Sequence, residues 1–171
     1  MGDDRKRGQS VTSEQLKKAL EGCYVTIPTP FDDTPDMAVN ETALRAYVRF
    51  LVDAGLTADY ATFLAGGAAG DFSTMTFDER IRVAGIVLDE VAGAAPVAVG
   101  CQTTSTLELV RLAKAAQDLG ASFIQVSCPF YFAHTEADFE AYVRAAAEAA
   151  PDVGLILYNT FWTSQQLSFG L

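Results

Sequence analysis

The chain has 171 residues, 50% of them hydrophobic and 11% aromatic, which suits one domain with a true core rather than a disordered tail. Lys and Arg number 12 against 22 Asp and Glu, a net charge of −10, so no positive field exists for nucleic acid and an anionic ligand has to be held by local donors. No stretch approaches the roughly 18 uninterrupted apolar residues of a membrane span.

The basic start from Met1 to Arg7 has no apolar run behind it, so it does not read as a secretion signal. Residues 1–12 read as loosely held. Ser13 to Leu20 reads as a short helix capped by Ser13, with Leu16, Ala19 and Leu20 on one side, and Gly22 ends it. Residues 1–21 are therefore set apart as an N-terminal extension, and 22–171 as the folded domain. From there, short apolar runs alternate with longer amphipathic ones. Strands are expected at Tyr24–Pro28, Ala61–Ala65, Pro96–Gly100, Ser122–Ser127 and Gly154–Tyr158, and helices at Glu41–Ala54, Thr76–Val91, Thr106–Leu119 and Glu136–Ala149. Thr76 and Glu79 have capping-box spacing, and Thr135 with Asp138 is a weaker version of the same signal.

Runs such as Ala98-Val99 and Gly154-Leu155-Ile156-Leu157 are apolar on both faces, as in a parallel sheet buried on both sides. Strand starts recur about every 30 residues, the size of a βα unit. Two α/β architectures fit. One is a doubly wound sheet of five strands. The other is a partial (β/α)₈ TIM barrel, its first five strands and four helices, whose full form runs to about 250 residues. No Rossmann fingerprint or P-loop is present to decide between them.

In a βα barrel the active centre lies at the C-terminal ends of the strands. Gly66, Gly67 and Gly70, around Ala68 and Ala69, can leave backbone N–H groups exposed in a nest for a carboxylate, or can form a plain strand-to-helix turn. Tyr158 ends an apolar strand; its phenol can shuttle a proton or can be a core tyrosine bonded to backbone. Tyr131 admits the same role or that of an interface aromatic. Asp71 fits a helix cap or a loop-orienting residue. Thr29, Thr103 and Thr104 can line a pocket or satisfy local turns. His134, the one histidine, precedes a helix as a surface or cap residue, so no zinc site is expected. The three cysteines form no CxxC pair, which fits a reducing, cytoplasmic setting, and Cys101 and Cys128 lack a base that would make them nucleophiles.

Four segments carry a resemblance to the dihydrodipicolinate synthase and N-acetylneuraminate lyase family of class I aldolases. Thr29-Pro30-Phe31 follows the first strand. Gly67-Ala68-Ala69-Gly70-Asp71 follows the second, with Phe72, Met75 and Glu79 in step. Pro129-Phe130-Tyr131 follows the fourth, and Tyr158-Asn159 ends the fifth. Within the family the chain looks most like the 5-dehydro-4-deoxyglucarate dehydratases. The likeness runs from about Ser13 to Asn159 and reaches only five strands of the eight-stranded barrel. It implies a lyase or hydro-lyase that forms a Schiff base between a lysine on the sixth strand and the keto carbon of pyruvate or a 2-oxo sugar acid. No cofactor is called for, and an oligomer is implied. The resemblance makes Tyr158 a proton relay and has Tyr131 reach a neighbouring subunit's site. It sets Thr29, Gly67, Ala68, Ala69 and Gly70 at the substrate.

The chain also departs from the family pattern. Ala68 and Ala69 replace one or two threonines, removing loop hydroxyls, and Thr160-Phe161-Trp162-Thr163 replaces a proline and an arginine. The lysine falls roughly 25 to 30 residues past Tyr158, about one more βα repeat, which is beyond Leu171. Lys17 and Lys18 precede the first strand and Lys114 lies in the third helix, so the 171 residues are expected to be inactive alone. Three readings follow. One is a 2-oxo-acid lyase completed by strands from another chain or from a longer natural chain of which these residues are a part. Another is a noncatalytic half-barrel for assembly or regulation, with the uncharged tail 165–171 docking at or extending an edge. The third is a small doubly wound binding domain. Strand order 1-2-3-4-5 fits the barrel arc, and 2-1-3-4-5 the doubly wound rival. Unpaired first and fifth strands invite association, so a second copy or a complementing chain is the expected partner, with neither nucleic acid nor membrane.

Overall fold

The structure, a computed structural model, describes residues 12–160; Trp162 and the tail 165–171 lie outside the described residues. Each helix begins where a polar side chain can take up a first-turn amide that has no intrahelical partner. Thr12, not Ser13, caps α1 (Ser13–Ala19): its hydroxyl accepts from the Gln15 amide, and Gln15 Oε1 accepts from the Thr12 amide at 2.9 Å. Three residues beyond Ser13 stands Leu16, which cannot return a bond, so the box closes one residue earlier.

The chain continues as β1 (Cys23–Thr26), α2 (Glu41–Asp53), β2 (Ala61–Ala65), a 3₁₀ turn (Ala68–Gly70), α3 (Phe77–Val91), β3 (Val97–Gly100), α4 (Thr106–Asp118), β4 (Phe123–Ser127), α5 (Glu136–Ala149) and β5 (Gly154–Tyr158). Thr76 with Glu79 and Thr135 with Asp138 both close full capping boxes. Bonds from the threonine amide and hydroxyl hold both carboxylates below their ordinary range. The first strand ends at Thr26 rather than at Pro28, which has no N–H to donate to a ladder.

All strands pair in parallel, in the order β1-β2-β3-β4-β5. A sequential order rules out the doubly wound sheet and makes the molecule an open, curled half-barrel with flanking helices. Alternate residues of each strand serve two cores. The outer core lies between sheet and helices: Phe63, Val99 and Ile124 meet Val48 of α2, Val87 of α3 and Leu112 of α4. The inner one joins Leu64, Ala98 and Phe123 in the barrel interior, with Ile156 beside them. Leu16 and Ala19 of α1 pack on that inner cluster, and Thr62 Oγ1 donates to Ala19 O at 2.8 Å. Burial on both faces explains the continuous apolar strands.

Glu90 of α3 accepts from Arg45 and Arg49 of α2, and the two guanidiniums hold its carboxyl below the usual range. No helix among the described residues is long and apolar enough to cross a membrane.

Candidate active site

The rim is built first by the turn after β2. Gly66 has φ +67, a left-handed conformation that glycine takes readily. Gly67 follows, and Ala68–Gly70 forms the 3₁₀ turn, closed by Asp71 at φ 54. Asp71 therefore ends this turn, while Thr76 caps α3. Gly70 lies against the end of β1: a Cβ on it would stand 2.8 Å from the Ile27 carbonyl oxygen. Thr29, itself buried, donates its hydroxyl to Gly70 O at 2.7 Å. Its place is behind the turn, as an anchor, and not on the cavity described next.

This bond makes a direct prediction. Thr29→Val keeps the shape but leaves Gly70 O without its donor, at an expected cost of about 1–3 kcal/mol. Urea unfolding is expected to show a lower midpoint at unchanged slope. An unchanged midpoint would mean that the turn is held by other contacts.

At the same rim, Ser127 of β4 stands in register with Tyr158 of β5. A cavity of about 430 Å³ opens there, lined by Ala68, Phe72, Ser73, Gln102, Ser127, Phe130, Tyr158 and Thr160. None of these side chains is charged. Ala68 of the glycine-rich turn and Tyr158 thus face one space. The amides of Ala68 and Ala69 open the 3₁₀ turn, where N–H groups lack an intrahelical partner. Gln102 is 4% exposed, and its Oε1 has no hydrogen-bond partner among the described residues. Across the barrel interior, the Tyr24 phenol donates to Gln125 Oε1 at 2.9 Å, linking β1 to β4. Burial first, and then the Tyr158 phenol, raise the Tyr24 pKa, so Tyr24 remains a proton donor to that bond.

Behind the rim, Arg80 of α3 is buried and donates Nη2 to Gly100 O at 2.9 Å. Its guanidinium carbon stands 5.4 Å from the centre of the Phe72 ring. Burial lowers the Arg80 pKa. Burial also pushes the Cys101 thiol up to about 12 and raises that of Cys128, so neither offers a thiolate.

The structure does not bring Tyr131 to the cavity. Tyr131 is 82% exposed, carries φ 90, and stacks edge-on against Phe132 with ring centres 4.7 Å apart. Thr103 donates to Glu108 Oε2 at 3.1 Å and its carbonyl accepts the Tyr142 hydroxyl at 2.7 Å, a local tie between α4 and α5. Thr104 is exposed. His134 is half-buried, and the cap of α5 is Thr135. Gln102, Ser127 and the pair Phe72–Phe130 were not singled out as site residues from the sequence. The signal for the first two was present: a polar side chain at, or two residues past, the C-terminal end of an apolar strand.

A parallel arc with its cavity at the strand C-termini defines the (β/α)₈-barrel class, in which that rim carries the chemistry. The model of the dihydrodipicolinate synthetase family matches residues 19–169, and the chain belongs to that family of class I aldolase type. It is 36% identical over 143 residues to a 4-hydroxy-tetrahydrodipicolinate synthase of Chloroherpeton thalassium, covering 84% of this chain and 45% of that protein. The corresponding synthase of Salinibacter ruber is 37% identical over 140 residues, covering 82% and 44%. The chloride-inhibited dihydrodipicolinate synthase from Acinetobacter baumannii complexed with pyruvate superposes with a TM-score of 0.77 at 30% identity, covering 86% of this chain and 48% of that one. A prophage protein of the dihydrodipicolinic acid synthase family from E. coli K12, in complex with pyruvate, gives 0.78 at 28%, covering 86% and 47%. The chain thus spans slightly under half the length of these relatives.

Proposed function

We propose that these residues form the N-terminal part of a Schiff-base-forming lyase or hydro-lyase that acts on a small 2-oxo acid. The observation that carries this reading is the rim cavity shared by Tyr158 and the Ala68 turn. Relatives of the same family that are complexed with pyruvate support it. In this reading, Gly67 and Gly70 shape the turn, and the Ala68 and Ala69 amides take the substrate carboxylate. Tyr158 passes a proton between the substrate and the imine-forming amine. Ala68 and Ala69 supply no hydroxyl to the relay; Ser127, in register beside Tyr158, has one. Tyr131, exposed at the rim, serves the site of a neighbouring subunit.

In this reading the amine comes from another strand, since none of the lysines among the described residues stands at the rim. Lys18 lies with Ala58 and Asp59 at the N-terminal ends of the strands, and Lys17 shares its helix. Lys114 is exposed on α4, outside the sheet. An imine requires the amine within bonding distance of the carbonyl carbon. The arc supplies substrate binding and proton relay, and the strand that completes the barrel supplies the lysine, from further along the same chain or from another chain, in an oligomer in the cytoplasm. The likeness to 5-dehydro-4-deoxyglucarate dehydratases read from the sequence makes loss of water the outcome proposed.

Borohydride reduction with pyruvate, on the chain together with any polypeptide that co-purifies, is expected to leave a pyruvate-derived adduct on a lysine, read by mass. Absence of an adduct on every polypeptide present overturns the proposal. A noncatalytic half-barrel used in assembly is the second reading. The exposed Tyr131 and Phe132 favour it, and a monomeric solution mass without a partner argues against it.

A further inference from the structure

We infer that the rim cavity takes a 2-oxo acid whose far end is apolar, an aryl or branched-alkyl group, rather than a polyhydroxylated or doubly acidic one. The inference rests on the proposed function and specifies its substrate class.

The cavity has two unlike ends. Ser127, Tyr158 and Gln102 come from the strand ends, where a carboxylate and a keto group find donors. Phe72 and Phe130 come from the loops above and present two phenyl rings, with Ser73 next to Phe72 in the chain. The rings meet edge to face, with centres 6.1 Å apart and planes at 66°. Arg80, fixed by its bond to Gly100 O, stands against Phe72. The aromatic wall is therefore held from behind, and its shape exists before a ligand arrives.

Size points the same way. A volume of about 430 Å³ lies within the roughly 300–1,000 Å³ of sites for drug-sized ligands. A sugar acid would give up the water bonds of its hydroxyls against two phenyl rings, with only the Ser73 and Thr160 hydroxyls left to meet them. Apart from the imine-forming amine itself, a second carboxylate would meet no cation among the described residues that line the space. An aryl group buries apolar area there and can meet the Phe130 ring edge-on or offset.

Calorimetric binding to the chain, with any co-purifying polypeptide, compares a phenyl-substituted 2-oxobutanoate with a 3-deoxy-2-oxo sugar acid. The phenyl acid is expected to bind at least about tenfold tighter, as burial of a ring on an apolar wall implies. Phe130→Ser is expected to lower the phenyl-to-sugar ratio by about tenfold, since it replaces a ring with a hydroxyl. Phe130→Leu, which keeps an apolar side chain but removes the ring, is expected to lower the same ratio about threefold, and it stands alone if Phe130→Ser does not fold. Equal or tighter binding of the sugar acid overturns the inference, and so does a ratio that the folded variants leave unchanged. If neither acid binds while pyruvate is still trapped by borohydride, this inference falls and the proposed function stands. If trapping fails as well, both fall.

Discussion

Replacing Tyr158 with phenylalanine is expected to lower turnover of the completed enzyme by about 10²–10⁴-fold, the usual contribution of a positioned general acid–base group. The substitution removes one hydroxyl and keeps the ring. Tyr158 is 37% exposed at the last position of β5, so the fold loses little. Thermal unfolding is expected to be nearly unchanged, which separates a chemical effect from a structural one. A second signal follows from the barrel interior. The Tyr158 phenol is the smaller of two causes that raise the Tyr24 pKa, the larger being burial. Its loss is expected to bring the Tyr24 pKa part of the way down, visible as phenolate absorbance appearing at lower pH. A turnover loss below tenfold would show that Tyr158 does not relay the proton. An unmoved Tyr24 titration would show that the two phenols do not share the interior as described.

The elements that could be read from the sequence are those set by local chemistry. The capping boxes at Thr76 and Thr135 are complete within four residues, and the strands Ala61–Ala65 and Gly154–Tyr158 are apolar runs bounded by turn residues. The Thr12 cap was missed because Ser13 offers the same hydroxyl, and only the return bond from Gln15 distinguishes them. The site was harder to read because it is assembled by register. Gln102, Ser127 and Tyr158 are remote in sequence, and they meet only because β3, β4 and β5 lie side by side and end at one level. Thr29 shows how a partner remote in sequence directs a side chain. Its position after β1 suits a pocket, yet its hydroxyl is taken by Gly70 O, a carbonyl that the sequence does not show to be within reach. Tyr131 and Tyr158 both end or follow strands, but the backbone turn at Tyr131, with φ 90, leaves its ring in solvent.

The largest stability effect is expected at Gly100, where β3 meets the rim. A Cβ on Gly100 would stand 2.1 Å from the Gly66 carbonyl oxygen and 2.6 Å from Gln102 Oε1. The glutamine tip can swing away. The carbonyl cannot, because it belongs to the left-handed turn that leads into Ala68–Gly70. Gly100→Ala therefore has to push β2 and β3 apart at the rim. Overpacking costs about 1–3 kcal/mol, occasionally more, and a clash with backbone belongs at the upper end, about 3 kcal/mol. The Arg80 bond to Gly100 O would shift with it, and Phe72 would lose its support from behind. Gly85→Ala is the control. It lies inside α3, where a new Cβ meets nothing closer than Leu119 Cδ2 at 3.9 Å, and the gain in helix preference is expected to stabilise by about 0.5–1 kcal/mol. Urea unfolding of the two variants is thus expected to shift in opposite directions. If Gly100→Ala unfolds like the parent chain, β2 and β3 do not approach as closely as the rim cavity requires, because the same carbonyl that excludes the methyl group sets the floor between the Ala68 turn and Gln102.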